Sequence, residues 1–234
     1  MPDTQPETMP QKMLDTLCID TCGGSLTIAL GASAAAPDSR DIEFHHEDMI
    51  IGHAEAIHPA LETLFGRTQD RLGRPFKRIG VTTGPGSFTG LRVGLSVAKA
   101  YGLSEGCAVV PINRLAMLAR GAQMHSQSTA PVHVCIDARR GEHFVQIFDR
   151  TLTALSAPKT WPSDTLDDWR RQAVADTGKP IIVDTADDIP GAVRAQALIW
   201  LTQTGQGMTH KTISALYVRA PDAKKPGTTR FRVA

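Results

Sequence analysis

One internal repeat constrains the fold more than any other feature of this sequence. The string LCIDTCGG, which begins at Leu17, returns 117 residues later as VCIDARRG, which begins at Val134, in a chain of 234 residues. Each string is apolar, reaches an acid and then enters a turn, and a second apolar run follows it, so each predicts a β-hairpin. Self-similarity across half of the chain predicts a duplicated lobe rather than a solenoid.

Alternating strand and helix patterns follow each hairpin. In the first half, hydrophobic periodicity predicts strands at residues 41–47, 79–83 and 108–112, a helix from His53, a helix at 89–103 and a helix through Leu115. In the second half, it predicts strands at 152–155 and 181–184 and helices at 165–174 and 193–201. Each half therefore predicts a mixed sheet with helical cover, and the fold class is α/β.

The predicted organisation has four parts: a disordered leader at 1–15, an N-terminal lobe at 16–125, a short C-terminal lobe at 126–220 and a basic tail at 221–234. The first residues lack the basic start and apolar core of a signal peptide, and no later run is long enough to span a membrane. The four cysteines show no disulfide or zinc spacing, which predicts reduced thiols in a cytoplasmic protein.

The charge balance bears on nucleic-acid binding. Lysine and arginine together number 25 and aspartate and glutamate 24, so the formal net charge is +1. A chain that grips nucleic acid by itself usually shows a strong basic excess. Tight, direct binding of nucleic acid by this chain alone is therefore not expected.

Asp20 and Asp137 occupy equivalent places in the repeat, at the ends of the first hairpin strands. One interpretation is that each carboxylate stabilises its own turn by accepting hydrogen bonds from nearby backbone N–H groups. The other is that the two hairpins face each other across a cleft, where backbone N–H groups hold phosphate and a carboxylate holds a cation. The sequence leaves both interpretations open.

The string GPGSFTGLR, from Gly84 to Arg92, lies where a strand passes into a helix, the usual position of a phosphate-binding loop. Thr89 stands where a dinucleotide fingerprint needs its third glycine, and no Gly-Lys-Ser or Gly-Lys-Thr ending follows. The string is therefore neither a dinucleotide-binding loop nor a Walker loop.

Small residues recur at every fourth position of the helix that follows, at Gly90, Gly94, Ala98 and Gly102. This spacing places them on one helical face, where another element can approach closely. Glycine costs about 1 kcal/mol relative to alanine inside a helix, so the repetition needs a structural reason. The contact is either with another helix, within or between chains, or with the sheet.

No catalytic or metal-binding constellation is predicted. His53 and His58 are five residues apart, which places them on different helical faces, whereas a two-histidine site needs a spacing of three or four. Glu142 and His143 are neighbours in a predicted strand and point to opposite faces. No Ser/His/Asp or Cys/His arrangement follows from order and spacing.

These segments resemble the B-subunit family of bacterial tRNA threonylcarbamoyladenosine synthase, the TsaB or YeaZ family. The resemblance rests chiefly on the string from Gly84 to Arg92. Supporting matches are Ile19-Asp20-Thr21, His53-Ala54-Glu55, Lys99 to Gly102, Asp137 to Glu142 and Leu216-Tyr217-Val218-Arg219. The resemblance implies a two-lobed actin/hexokinase-like (ASKHA) fold with duplicated mixed-sheet lobes.

The resemblance also implies a function. A B subunit has no active site of its own, and no cofactor is expected to bind to it. It supports a catalytic D subunit through helices of the first lobe, and it can form a homodimer. A small ATPase subunit completes a complex that uses ATP to form N6-threonylcarbamoyladenosine beside the anticodon of tRNAs reading A-starting codons. Contact with tRNA would be indirect. The residues expected at the partner interface are Gly90, Gly94, Ala98, Gly102, His53 and Leu61.

Two alternatives stay open. The first is an ATP-dependent kinase-type enzyme of the same fold, in which Asp20 and Asp137 would flank phosphate and metal. Only Gly205-Gln206-Gly207 offers the adenosine loop that such an enzyme needs. The second is a metallopeptidase-like protein, which the spacing of His53 and His58 opposes.

Overall fold

A computed structural model describes residues 12–33, 42–205 and 207–218. Most of the predicted leader, the whole predicted basic tail at 221–234, Gln206 and Arg219 lie outside the described residues. Within those residues, no helix combines the length and apolar character that a bilayer crossing requires.

In the part of the chain that the structure describes, nine strands form two sheets. The first sheet contains β1 (Thr16–Asp20), β2 (Ser25–Gly31), β3 (Ile42–Asp48), β4 (Arg78–Gly84) and β5 (Ala108–Asn113). The second contains β6 (Val132–Arg139), β7 (Glu142–Phe148), β8 (Lys159–Pro162) and β9 (Ile181–Val183). Five α-helices accompany them among the described residues: α1 (His53–Arg67), α2 (Phe88–Ser104), α3 (Arg114–Ser126), α4 (Leu166–Thr177) and α5 (Gly191–Thr204). Short 3-10 turns occupy Ser163–Thr165 and Ala186–Asp188.

The two sheets share one topology. The strand order is β3-β2-β1-β4-β5 in the first sheet and β8-β7-β6-β9 in the second. In each sheet, the first strand pairs antiparallel with the second and parallel with the strand after the intervening connection. The duplication that the repeat predicts is therefore confirmed, and the first sheet carries one strand more.

The layers follow from the alternation of side chains along β1. Leu17 and Ile19 point to one face of the first sheet, where they pack with Leu61 of α1 and Leu95 of α2. Cys18 points to the other face, into a core shared by α3, α5 and the second sheet. Helix α4 covers the outer face of the second sheet through Leu166 and Trp169, which pack on Cys135 and Val145.

Helix α5 differs most from the sequence-based division into lobes. The boundary at residue 126 assigns it to the C-terminal lobe, but it packs on the strands of the first sheet and beside α3. The side chain of Ile199 approaches Gly31 in β2. Arg78 of β4 donates hydrogen bonds to the carbonyl oxygens of Thr202, Gln203 and Gly205 at the end of α5. The chain therefore returns to the first lobe after building the second.

Two further expectations are corrected. Residues 152–155 form no strand beyond a single bridge from Ala154 to Phe148, because a turn around Asp149 takes up this segment and β8 follows it. The leader does not extend to residue 15. Leu14 is fully buried, and the carboxylate of Asp15 accepts hydrogen bonds from Ser33 and lies 2.6 Å from Lys77 Nζ.

Candidate functional site

The first hairpin turn, at residues 21–24, is held from several sides. The Asp20 carboxylate is 2% exposed, and its Oδ1 accepts hydrogen bonds from the backbone N–H of Cys22 at 3.0 Å and from the Thr82 hydroxyl at 2.6 Å. The Cys22 thiol lies 2.8 Å from the same hydroxyl. Asp20 thus stabilises its own turn and joins it to β4.

The second hairpin turn is open to solvent. Asp137 Oδ1 accepts a hydrogen bond from the backbone N–H of Arg139 at 2.7 Å, and the side chain of Asp137 is 64% exposed. Each acid therefore accepts a hydrogen bond within its own turn, but Asp20 is buried whereas Asp137 is mostly exposed. No hydrogen bond or ion pair joins the two carboxylates within the described residues.

Two buried arginines beside Asp20 were not found by the sequence analysis. Arg194 of α5 donates to the Ser25 hydroxyl at 3.0 Å and to His46 Nε2 at 3.1 Å. Arg114 begins α3, and its guanidinium group lies against Gly23 in the turn. No local pattern could reveal these contacts, because the partners lie about 90 to 170 residues apart in the chain.

The GPGSFTGLR segment supports the hairpin. The backbone N–H of Ser87 donates to the carbonyl oxygen of Cys22 at 2.7 Å, and a side chain at Gly86 would collide with that same carbonyl group. The hydroxyl of Ser87 caps α2 by accepting from the backbone N–H of Gly90. The loop therefore fastens the start of α2 to the first turn.

The small-residue stripe packs inside the lobe. A Cβ atom at Gly90 or Gly94 would collide with Thr21, and one at Gly102 would lie 2.6 Å from Val109 Cγ2. Ala98 is fully buried against the first sheet. The close neighbours of these four residues within the chain are its first hairpin turn and its first sheet, so the structure explains their spacing without a partner.

His53 and Leu61 are also buried within the lobe, at 5% and 2% exposure. His53 Nε2 lies 3.2 Å from the carbonyl oxygen of Ser25, which only an Nε2–H tautomer can satisfy. His58 is exposed on the opposite face of α1, as its spacing from His53 predicted.

The outer surfaces of α1 and α2 form a groove of about 410 Å³ that is open to solvent. Its lining includes Ala54, Ile57, His58, Phe88, Arg92 and Val93. Ile50 and Ile51, which come just before α1 in the chain, are 75% and 84% exposed. Helices α1 and α2 thus have an apolar outer surface, although the predicted interface residues lie on their inner one.

Phe88 stands at the edge of this groove in a stack of three side chains. The Arg92 guanidinium carbon lies 3.9 Å from the centre of the Phe88 ring, and the Tyr217 ring centre lies 5.7 Å from it. The segment that carries Tyr217 is anchored by a 2.6 Å hydrogen bond from the backbone N–H of Leu216 to the carbonyl oxygen of Thr83. Two of the motifs behind the family resemblance therefore meet at this groove.

Catalytic arrangements were sought among the described residues. No three His, Cys, Asp or Glu side chains come together there in a geometry that would hold a metal ion. Ser163 Oγ lies 3.1 Å from His143 Nδ1, a pair that the sequence analysis missed, but no carboxylate bonds the other ring nitrogen within the described residues. Burial raises the pKa of the Cys135 thiol to about 12, so this thiol is protonated at neutral pH.

A family model described as TsaD: tRNA N6-adenosine threonylcarbamoyltransferase matches residues 47–168, just over half of the chain. Two curated relatives are named tRNA threonylcarbamoyladenosine biosynthesis protein TsaB. The protein from Escherichia coli (strain K12) is 27% identical over 134 residues, which cover 57% of this chain and 54% of that protein. The protein from Bacillus subtilis (strain 168) is 27% identical over 132 residues, covering 56% and 54%. The chain spans about half the length of the curated relatives it matches.

Solved structures show the same fold. YeaZ from Pseudomonas aeruginosa superposes with a TM-score of 0.67 at 19% identity, covering 86% of this chain and 98% of that one. A Pseudomonas aeruginosa protein described as similar to peptidase YEAZ gives a TM-score of 0.69 at 19% identity, covering 88% and 100%. The α/β fold with two mixed-sheet lobes that the sequence predicts is confirmed, and it is the fold of the YeaZ structures.

Proposed function

This chain belongs to the tRNA N6-adenosine threonylcarbamoyltransferase family, and on that premise we propose that it is the non-catalytic partner subunit of the complex that forms N6-threonylcarbamoyladenosine in tRNA. Two relatives named TsaB and the YeaZ fold support this role over that of the transferase itself. In the proposal, the catalytic D subunit binds this chain, a small ATPase subunit accounts for the use of ATP, and this chain touches tRNA only through them.

The apolar groove between α1 and α2 is the observation that carries the proposal. Phe88, which lines it, exposes more than half of its surface, and so do Ile50 and Ile51 just before α1. Contiguous exposed apolar surface is typical of a protein interface, since leaving it in water costs free energy that a partner recovers. The occupant that we propose is a helical surface of the D subunit, because a groove between two helices accepts a third helix.

The environment of Asp20 favours a supporting role over the kinase alternative. Its carboxylate is already committed to Cys22 and Thr82, and the side chain is almost completely buried. Asp137, the other acid of the proposed kinase site, is exposed and bonded to its own turn. A pair that binds phosphate and metal together would need both acids to face the same open cleft.

A pull-down with the D subunit from the same organism tests the proposed interface. Phe88→Glu places a charge in the groove, and Ile51→Glu places one just before α1. Both side chains are exposed, so both variants should keep the wild-type melting temperature, and we expect each to lose D-subunit binding by tenfold or more. Leu155→Glu is the matched control, since Leu155 is 55% exposed on the second lobe. Undiminished binding by both groove variants would show that the D subunit docks elsewhere.

A second copy of this chain is the competing occupant. Light scattering of the isolated chain, with and without the D subunit, separates the two cases. A homodimer that the groove variants break and the D subunit cannot displace would contradict the proposal. The non-catalytic role has its own test: the isolated chain should neither hydrolyse ATP nor modify tRNA, and robust turnover by a preparation free of other subunits would overturn it.

A further inference from the structure

Arg92 is an exposed cation that the protein orients without neutralising. Its guanidinium carbon lies 3.9 Å from the centre of the Phe88 ring, which is the range of a cation–π contact. Within residues 12–33, 42–205 and 207–218, no carboxylate pairs with Arg92 and no acceptor takes its N–H groups. A contact with an aromatic ring uses none of the five guanidinium donors as conventional hydrogen bonds. These donors therefore remain available to a group from outside the chain.

The aromatic support under Arg92 is itself fixed. The ring centres of Phe88 and Tyr217 are 5.7 Å apart, and Phe88 is the first residue of α2. The segment that carries Tyr217 is anchored to β4 by the hydrogen bond from Leu216 to Thr83. A guanidinium group that is already oriented loses less side-chain entropy when a partner binds it. Arg92 thus has the properties of a preorganised recognition group at the edge of the groove.

The groove between α1 and α2 has an unbalanced charge. Among the described residues that line it are two basic side chains, Arg92 and His58, and no aspartate or glutamate. Glu55 and Glu62 of α1 are exposed but do not line the groove. Helix α2 has no acidic residue in its first turn, so no acid of that turn offsets the positive end of its dipole. A surface that complements this groove in charge is acidic.

On the proposed function, in which a helix of the D subunit fills the groove, we propose that this helix presents an aspartate or glutamate carboxylate to Arg92. The guanidinium fork donates two parallel hydrogen bonds to the two carboxylate oxygens. His58, on the α1 side of the groove, supplies a further donor, and Ile57 and Val93 contact the apolar side chains of the same helix. Arg92 then selects the partner, because a helix without the acid leaves it unpaired in the contact.

The same charges argue against a second copy of this chain as the occupant. A symmetric dimer places a surface patch of one copy against the identical patch of the other. The lining of the groove contains two basic groups and no acid, so it offers no carboxylate to Arg92 of a facing copy. Like charges across an interface oppose association. An acidic helix is therefore the better occupant.

Three substitutions of Arg92 separate charge from geometry. Arg92→Gln removes the charge, Arg92→Glu reverses it, and Arg92→Lys keeps it but loses the planar fork. Arg92 is exposed, so all three variants should melt within a few degrees of the wild-type protein. Arg171→Gln is the matched control, since the side chain of Arg171 is 75% exposed on α4, in the second lobe.

The experiment measures the dissociation constant of the full chain and the D subunit by calorimetry, at low and at high salt. We expect Arg92→Gln to bind about tenfold more weakly at low salt and Arg92→Glu to bind more weakly still. Arg92→Lys should lie between Arg92→Gln and the wild-type protein. Salt should weaken the wild-type complex more than the Arg92→Gln complex, because it screens the ion pair. Arg171→Gln should match the wild-type protein at both salt concentrations.

Phe88→Glu distinguishes a failure of this proposal from a failure of the proposed function. If Phe88→Glu loses binding while Arg92→Gln binds as tightly as the wild-type protein, the D subunit occupies the groove and the acidic contact is refuted. If both variants bind as the wild-type protein does, the D subunit docks elsewhere and both proposals fall. Tighter binding by Arg92→Glu than by the wild-type protein would show that the partner presents a basic group. Light scattering adds one more contradiction: loss of a homodimer in Arg92→Gln with unchanged D-subunit binding would make a second copy the source of the carboxylate.

Discussion

The hydroxyl of Thr21 donates a 2.7 Å hydrogen bond to the carbonyl oxygen of Gly90. The first hairpin turn and the first turn of α2 are therefore in direct contact, and the space for that contact exists because Gly90 and Gly94 have no side chains. The stripe of small residues on α2 serves the approach of helix to sheet.

Gly94→Ala should destabilise the protein. Its new methyl group would collide with the Thr21 hydroxyl, and overpacking of this kind costs about 1–3 kcal/mol in the free energy of unfolding. Gly66→Ala in α1 is the control, since nothing lies within 4 Å of its Cβ position, and it should gain about 0.5–1 kcal/mol from helix propensity. Urea unfolding measures both, and equal stability of the two variants would refute the packing argument.

The order of helices and strands could be predicted from the sequence because hydrophobic periodicity is a local property. The boundaries of α2 and β4 agree with the prediction to within one residue at each end. The repeat revealed the shared sheet topology, since it preserves the acid and the turn of each hairpin. The element that packs on the small residues of α2 could not be predicted. Their spacing shows that another element approaches closely, but it does not distinguish a sheet from a second helix.

The site around Asp20 could be predicted only in part. The acid and its turn stand out in the sequence, but nothing local marks Arg194, which reaches Ser25 from 169 residues away. Helix α5 has apolar residues on most of its faces. Such a pattern predicts that the helix is buried, but it does not indicate which sheet the helix packs against. Long-range pairing of this kind is a property of the fold.

Asp20→Asn and Asp137→Asn should differ sharply, although the two acids are equivalent in the repeat. The buried Oδ1 of Asp20 accepts hydrogen bonds from Cys22 and Thr82, and hydrogen bonds to a charged acceptor contribute about 1.5–3 kcal/mol to the free energy of unfolding, so removing the charge should cost much of that amount. Asp137 is mostly exposed, so its substitution should change the free energy of unfolding by less than about 0.5 kcal/mol. Chemical denaturation of both variants provides the measurement; similar losses would mean that the charge of Asp20 does not strengthen its buried hydrogen bonds.

His46 should make stability depend on pH below neutrality. Arginine only donates hydrogen bonds, so His46 Nε2 must accept from Arg194, and Nδ1–H donates to the Thr27 hydroxyl at 2.8 Å. Burial lowers the pKa of His46 below its usual 6.5, and the charge of Arg194 lowers it further, although Asp48 and Asp20 oppose the shift. The unfolded chain therefore takes up its proton first, and stability falls as the pH drops through 6.5 toward the folded pKa.

The measurement is the urea midpoint at pH 7.5, 6.5 and 5.5. Wild-type protein should lose stability across this range with a slope of at most about 1.4 kcal/mol per pH unit from this histidine. His46→Gln should flatten the slope, and His58→Gln, on the exposed face of α1, should not. Burial also lowers the pKa of His133, so part of the slope should survive in His46→Gln. An unchanged slope in that variant would contradict the predicted coupling.

Thiol reagents should distinguish the four cysteines. Cys18 and Cys22 are at most 1% exposed, and burial raises the pKa of the Cys18 and Cys135 thiols to about 12. Cys107 is only partly buried, so in the native protein it should react first, although burial and Glu105 raise its pKa too. The fast phase of thiol labelling in the native protein should disappear in Cys107→Ser and remain in Cys135→Ser. In denaturant, all four thiols of the wild-type protein should react. A fast phase that survives Cys107→Ser would place the reactive thiol elsewhere.

The position of α5 determines when the first sheet can finish folding on the ribosome. The strands of that sheet are complete at Asn113, but the helix that covers one of its faces ends at Thr204, roughly 90 residues later. At the usual synthesis rates this interval is on the order of 5 to 20 seconds. Throughout it, the apolar face that carries Cys18, Ala29 and Ile112 lacks the cover of α5 and has only α3 and the second sheet to pack against as they form. Nascent chains of this protein should therefore depend on chaperones until α5 emerges from the exit tunnel.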